Sequence, residues 1–135
     1  MKSKTLILAL IISISFNIYL FNKINMDNTK ERLSYDINAE LRFLGGSLET
    51  LQNNNDLRFI SSISGGIFWM ARSSNEFDDD TKDLFQEINN FFISTDINKV
   101  YNNKIELSKL IKQLASMPND KKIKTEVRNL LKILE

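Results

Sequence analysis

The stretch LSYDINAELRFLGGSLETL, Leu33 to Leu51, contains the strongest periodicity in the chain. Its aliphatic residues recur in steps of three and four over about five turns, which is the spacing of one face of an α-helix. The opposite face carries charged side chains, among them Arg42 and Glu49. The pattern therefore predicts an amphipathic helix that packs its apolar stripe against other helices. The stripe consists of Leu33, Ile37, Leu41, Leu44, Leu48 and Leu51.

A second apolar stripe follows, from Leu57 to Met70, after a predicted cap at residues 53–56. Asparagine and aspartate are favoured at this position because their side chains accept hydrogen bonds from the first free N–H groups of a helix. Phe59, Phe68 and Trp69 widen the stripe beyond one face. We expect this helix to be the most buried of the chain.

Three more helices are predicted after a polar, exposed loop at residues 73–80. The first begins at the aspartates 78–80, whose negative charge suits the N-terminus of a helix. The second spans Ile97 to about Ala115 and ends before the only proline, and the last begins at residue 119 or 120. No segment shows the alternation of a strand. The predicted fold is all-α, a bundle of four or five helices.

The N-terminus carries a basic head, MKSK, and then an uncharged run of about 17 residues, TLILALIISISFNIYLF. Such a run is at the lower edge of what spans the hydrocarbon layer of a bilayer as a helix. We predict a signal anchor or transmembrane helix at residues 1–23, a helical juxtamembrane segment at residues 24–32 and the helical bundle at residues 33–135. The basic head favours a cytoplasmic N-terminus and an extracytoplasmic bundle, as in a bacterial envelope protein.

Two alternatives stay open for the N-terminal run. A small-x-small sequence, Ser13 to Ser15, would permit cleavage of a signal and release of a secreted protein. The run could also form a buried helix of a soluble domain. Positive charges are nearly balanced on its two sides, so the orientation is set less firmly than the presence of the run.

Two glycine pairs lie inside predicted helices, Gly45-Gly46 in the first and Gly65-Gly66 in the second. Glycine weakens a helix interior by about 1 kcal/mol relative to alanine, so a local gain is expected at each pair. An antiparallel hairpin that turns near residue 55 would place the pairs opposite one another. We therefore predict a close helix crossing there, and Gly66→Leu should wedge it apart and lower the melting temperature. A hinge and a ligand cleft are the alternatives.

The composition excludes several kinds of chemistry. The chain has no cysteine and no histidine, which removes disulfides, thiolate nucleophiles and catalytic triads that use histidine. The carboxylates of residues 78–83 lack the spacing of an EF-hand, so we interpret them as a charged helix start and not as a calcium site. No pattern predicts a catalytic residue, a cofactor or a metal site. Phe68, Trp69 and Met70 form an apolar cluster that is typical of a core but could also contact a ligand or partner.

Charge is uneven along the chain although the formal net charge is only +1. Residues 76–96 hold seven acidic and one basic side chain, whereas residues 99–135 hold nine basic and four acidic ones. We interpret these segments as helices that dock on each other, and a basic face for an anionic polymer or lipid is the alternative. The near-zero net charge argues against nucleic acid as a partner.

The sequence thus predicts a non-enzymatic, single-pass membrane protein whose helical bundle binds another envelope protein in an accessory, protective or sensory role. A helical domain that binds a small ligand is the alternative, and an enzyme built on carboxylates is a more distant one. The sequence does not indicate the oligomeric state.

Overall fold

A computed structural model describes the backbone of residues 2–135 and the side chains of residues 14–135 except 27, 28, 30 and 31. Five α-helices and no strands occupy this described part of the chain, so the prediction of an all-α fold is confirmed. The chain divides into two compact units, residues 1–32 and residues 33–135, and the second is a helical bundle. The helices are α1 (Lys2–Glu49), α2 (Asn54–Ser73), α3 (Asp79–Ser94), α4 (Ile97–Ser116) and α5 (Lys121–Leu134).

The first unit includes the predicted anchor. Within the described residues, the helices contain no stretch that is both long and apolar enough to cross a membrane. More than half of the predicted anchor, residues 1–13, lies outside the side chains that the structure describes. In residues 14–26 the large apolar side chains are all exposed, from 37% at Leu20 to 66% at Phe21. The transmembrane helix therefore stays a prediction.

Side-chain caps begin four helices of the second unit at or within one residue of the predicted positions. The Asn53 carboxamide accepts from the backbone N–H of Asp56, and the Asp56 carboxylate accepts from the backbone N–H of Asn53, which forms a capping box at α2. The carboxylates of Asp78, Asp96 and Asp120 accept from backbone N–H groups at the starts of α3, α4 and α5. Each cap satisfies N–H groups that the helix leaves free, and each fixes where a helix starts.

The core of the second unit is built from the predicted stripes. The α1 stripe from Ile37 to Leu51 is at most 1% exposed, and Leu33 packs against its edge. α2 packs on α3, α3 on α5 and α4 on α5. The stripe shares one hydrophobic core with buried residues of all four helices. Burial of each large aliphatic side chain contributes about 1.5–3 kcal/mol to folding. The largest fully buried side chains outside α1 are Ile60, Ile67, Leu84, Phe85, Ile88, Phe91 and Ile111.

Residues 74–77 correct the prediction of an exposed loop between α2 and α3. Ser74 is only 3% exposed, and its hydroxyl accepts a hydrogen bond from the backbone N–H of Glu76. Phe77 is 5% exposed and packs edge-to-face on Phe85, with 5.6 Å between ring centroids. The loop is therefore held on the core by one aromatic side chain, and Asn75 is one of its exposed residues.

Candidate functional site

The three residues of the predicted apolar cluster on α2, Phe68, Trp69 and Met70, differ in burial. Phe68 is 9% exposed, Met70 is half-buried and Trp69 is 65% exposed. Successive residues of a helix point about 100° apart, so three neighbours cannot all face the core. The expectation that Trp69 belongs to the core is wrong, and the alternative, that it is free for contact, agrees with its exposure.

Phe59 also faces solvent, and the prediction that α2 is the most buried helix is wrong, since 6 of its 20 residues are buried against 6 of 16 in α3. Its side chain is 53% exposed. Phe59, Ser62, Gly66 and Trp69 follow each other in steps of three, four and three, so they share one face of α2, and all four are exposed. We call these four residues the α2 aromatic face. It consists of two aromatic rings separated by two residues with little or no side chain.

A second helix extends this surface. The ring of Phe43 on α1 is 53% exposed and meets the ring of Phe59 at 89°, with 6.0 Å between centroids. Edge-to-face contact is a favourable arrangement of aromatic rings, and it holds Phe59 in place without burying it. The exposed aromatic surface therefore reaches from α2 to the neighbouring end of α1.

The glycine pairs do not cross each other as predicted. A Cβ at Gly45 would lie 2.7 Å from the Cγ of Lys112 on α4, whereas a Cβ at Gly65 would lie 3.4 Å from the Oδ1 of Asn89 on α3. At Gly46 and Gly66 a Cβ would meet no atom within 4 Å. Gly45 thus permits a close approach of α1 to α4, and Gly66 is an open position on the α2 aromatic face. The predicted crossing fails because the two pairs face different neighbours.

The acidic start of α3 docks on α5. Lys124 is 2% exposed, and its ammonium group lies 2.5 Å from the carboxylate of Asp80 and 3.4 Å from that of Asp78. Arg128 binds Asp80 at 2.7 Å and Glu87 at 3.0 Å. The charge contrast between the two segments therefore includes contacts between their helices, as we interpreted it.

These contacts shift the pKa values of the groups involved. Hydrogen bonds from Lys124 and Arg128 lower the pKa of Asp80, and the hydrogen bonds from Thr81 lower the pKa of Asp78. Burial alone would lower the pKa of Arg128, but hydrogen bonds to Asp80 and Glu87 raise it. All three shifts keep the groups ionised near neutral pH, as a structural contact requires.

A further polar contact joins α1 to α4. The Glu49 carboxylate accepts from Lys112 at 2.6 Å and from the hydroxyl of Ser108 at 2.9 Å, and these two hydrogen bonds lower the pKa of Glu49. Lys112 is also the residue whose stem packs over Gly45. The contact is therefore part of the packing of α1 on α4.

The described carboxylates with shifted pKa values take part in contacts between helices. In the described residues no three acidic side chains converge to hold a metal ion. The acidic groups that carry shifted pKa values, Glu49, Asp78 and Asp80, are each paired with a cation of another helix. The site that the sequence indicated only as an alternative, exposed aromatic contact around Trp69, is the most distinct surface feature of the bundle.

No model of a known protein family matches the chain, and comparisons with curated proteins and with solved structures gave no match either. The function must therefore be argued from the residues themselves.

Proposed function

We propose that the helical bundle at residues 33–135 binds another protein without catalysis, through the α2 aromatic face. The observation that carries this proposal is the exposure of Trp69 and Phe59 on one face, 65% and 53%, with Gly66 open between them. Tryptophan is enriched among the residues that dominate binding energy at protein interfaces. Its burial against a partner would remove a large apolar surface from water.

The shape of this face favours a helical partner. Because Gly66 has no side chain and Ser62 has a small one, the backbone of a second helix could approach α2 closely between the two rings. Side chains of an amphipathic helix at positions i, i+3, i+7 and i+10 would then lie beside Trp69, Gly66, Ser62 and Phe59 in turn. The proposed partner is therefore a protein that presents the apolar face of a helix.

We further propose that residues 1–23 anchor the chain in a membrane, with the bundle outside the cytoplasm of a bacterial cell. The uncharged run after the basic head supports this proposal. The exposure of Phe16, Tyr19 and Phe21 supports it as well, since such a surface is unfavourable in water unless lipid or another chain covers it. Secretion after signal cleavage is the competing proposal.

Site-directed cross-linking tests the interaction surface. A photo-reactive amino acid at Ser62 in the full chain should give one adduct of defined mass in intact cells, because Ser62 lies between the two rings. The same probe at Thr125, an exposed position of α5, serves as the control and should not give that adduct. The additional substitution Gly66→Leu should abolish the adduct by filling the open position. Equal adducts from both probes, or one that persists with Gly66→Leu, would refute the proposed surface.

Cysteine labelling tests the anchor and its orientation. The chain has no native cysteine, so Asn75→Cys places a single thiol at an exposed residue of the loop between α2 and α3. A membrane-impermeant maleimide should label a full-length, membrane-bound species on intact cells. Labelling of a shortened, released species would indicate secretion, and labelling only after lysis would place the bundle inside the cell and contradict the proposed topology.

A further inference from the structure

A surface cleft between α2 and α3 has the chemistry of a binding site for a small organic acid. The cleft has a volume of about 350 Å³, which is within the range of clefts that hold small molecules. We propose that this α2–α3 cleft binds an amphiphilic monocarboxylate, that is, a single carboxylate with a short apolar tail. The residues that carry the proposal are Leu57, Arg58, Ser61, Phe92, Ile93 and Thr95.

The cation of the cleft has no acid to neutralise it. Arg58 forms no ion pair with any described residue, whereas Arg128 on α5 contacts two carboxylates. A guanidinium group offers two parallel N–H donors that match the two oxygens of a carboxylate. Arg58 lines a concave surface, so a bound anion would be partly shielded from water, and the contact would be stronger than one on an open surface.

A hydroxyl group of the same cleft is a second hydrogen-bond donor. The hydroxyl oxygen of Thr95 is buried and has no hydrogen-bond partner among the described residues. Buried polar groups are almost always paired in folded proteins, so an isolated hydroxyl in a cleft wall points to a partner that comes from outside the chain. Rotation of the Thr95 side chain towards the cleft would let the oxygen of a bound carboxylate serve as such a partner, and the hydroxyl of Ser61 offers another donor in the same lining.

The other residues of the cleft favour an apolar tail and a low negative charge on the ligand. Leu57 and Phe92, 8% and 2% exposed, form an apolar floor, and Ile93 is 65% exposed at the rim. These side chains favour an aliphatic tail over a sugar or a second charge. Asp96 follows Thr95 directly and caps α4 without lining the cleft, so its carboxylate disfavours each negative charge of a ligand and a phosphate more than a monocarboxylate. The lining therefore favours a monocarboxylate over a phosphate.

Octanoate is a suitable probe, and octyl glucoside, which has an alkyl tail of similar length and no charge, is its control. The full chain is labelled on isoleucine methyl groups and titrated with each compound at millimolar concentration while methyl NMR spectra are recorded. We expect octanoate to shift the Ile93 signal in a saturable way. The Ile133 signal should not move, because that residue lines a different cleft, between α4 and α5, which contains Glu106 and Glu126.

Three variants separate the proposed contacts from general binding of an amphiphile. Arg58→Gln should weaken octanoate binding about tenfold or more, as expected for loss of a hydrogen bond to a charged group. Arg72→Gln, on the same helix and stacked on Phe68 outside the α2–α3 cleft, should leave binding unchanged. Thr95→Val should weaken binding and also raise the melting temperature of the free chain, because it removes an unpaired buried hydroxyl.

Each of the following three outcomes would overturn the proposal. Equal shifts with octanoate and octyl glucoside would show that the tail alone binds. Octanoate binding that is unchanged in Arg58→Gln would remove the proposed cation from the site. Absence of a saturable Ile93 shift at millimolar octanoate would show that the cleft does not bind this class of ligand.

Discussion

Gly45 and Gly66 occupy similar helix interiors but have opposite surroundings. A Cβ at Gly45 would lie 2.7 Å from the Cγ of Lys112 and 3.2 Å from the backbone oxygen of Ser108, and one at Gly66 would meet nothing within 4 Å. The same residue type therefore serves close packing in α1 and leaves an open surface in α2. Sequence alone could not separate the two cases, because both pairs interrupt an apolar stripe in the same way.

Alanine substitutions should separate them in stability. Gly66→Ala should raise the free energy of unfolding by up to about 1 kcal/mol, since alanine is the better helix former and its methyl group has room. Gly45→Ala should lower it, because the new methyl group must displace the stem of Lys112, which also holds Glu49. Urea denaturation of both variants measures the difference. Stabilisation by both substitutions would contradict the packing that we describe for Gly45.

Lys124 shows how a buried cation depends on its partners. Its side chain is enclosed, whereas Asp78 and Asp80 are about half exposed. Removal of the lysine leaves two carboxylates that water can solvate, but neutralisation of the aspartates leaves a buried ammonium group without a counter-charge. The two changes should therefore have very different costs, although both break the contacts of Lys124 with the two aspartates.

Lys124→Met should change the free energy of unfolding by no more than about 1 kcal/mol, because methionine fills a similar unbranched volume. The double variant Asp78→Asn, Asp80→Asn should lose about 3 kcal/mol, and asparagine at residue 78 still caps α3. Thermal melts of the two variants at pH 7 provide the measurement. A larger loss for Lys124→Met than for the double variant would show that the lysine does not need its counter-charges.

We expect the stability that the contacts between α3 and α5 contribute to change with pH. The pKa values of Asp78 and Asp80 are lowered in the folded state, so in acid the unfolded state binds more protons than the folded one. Stability therefore rises with pH in this range. The contribution is complete above the ordinary aspartate pKa of about 4 and is lost as the pH falls through the lowered values. The raised pKa of Arg128 also contributes to stability, and this contribution is lost only in strong alkali.

We expect the melting temperature of the natural chain to fall steeply as the pH is lowered from about 5 to about 2. The double variant Asp78→Asn, Asp80→Asn should show a shallower fall, because two of the titrating groups are absent. Melts across this range in a buffer of constant ionic strength measure both slopes. Parallel curves would indicate that other carboxylates, such as Glu49, dominate the acid response.

The elements themselves could be read largely from the sequence. Four caps and the apolar periodicity identified the helices of the second unit, because a helix start and a period of 3.6 are local properties. Burial was predicted less well: Phe59 and Trp69 are apolar but exposed, and Ser74 is polar but buried. Burial depends on which arc of a helix its neighbours cover, and that arc is set by contacts between residues far apart in the chain.

The candidate sites could not be predicted from local patterns either, because they also depend on contacts between residues far apart in the chain. Arg58 and Thr95 lie 37 positions apart, on α2 and just after α3, and only the packing of α2 on α3 places both in one cleft. No local pattern distinguishes Arg58 from the other arginines. Trp69 was identified as a candidate contact within the apolar cluster of Phe68, Trp69 and Met70, but only the structure shows that it is exposed.

The core predicts where an independently folding unit begins. Every buried residue of the described core lies between Ile37 and Leu134, so a chain of residues 33–135 retains all of it. We expect this fragment to unfold in one cooperative transition, with a melting temperature within a few degrees of the bundle transition in the full chain, because no residue of the described core is removed. Calorimetry of both chains tests this.

A fragment that starts at residue 45 instead would lose Ile37, Leu41 and Leu44 and should not fold, since each deletion removes a fully buried side chain. A broad, non-cooperative melt of the 33–135 fragment would show that the bundle depends on contacts from residues 1–32.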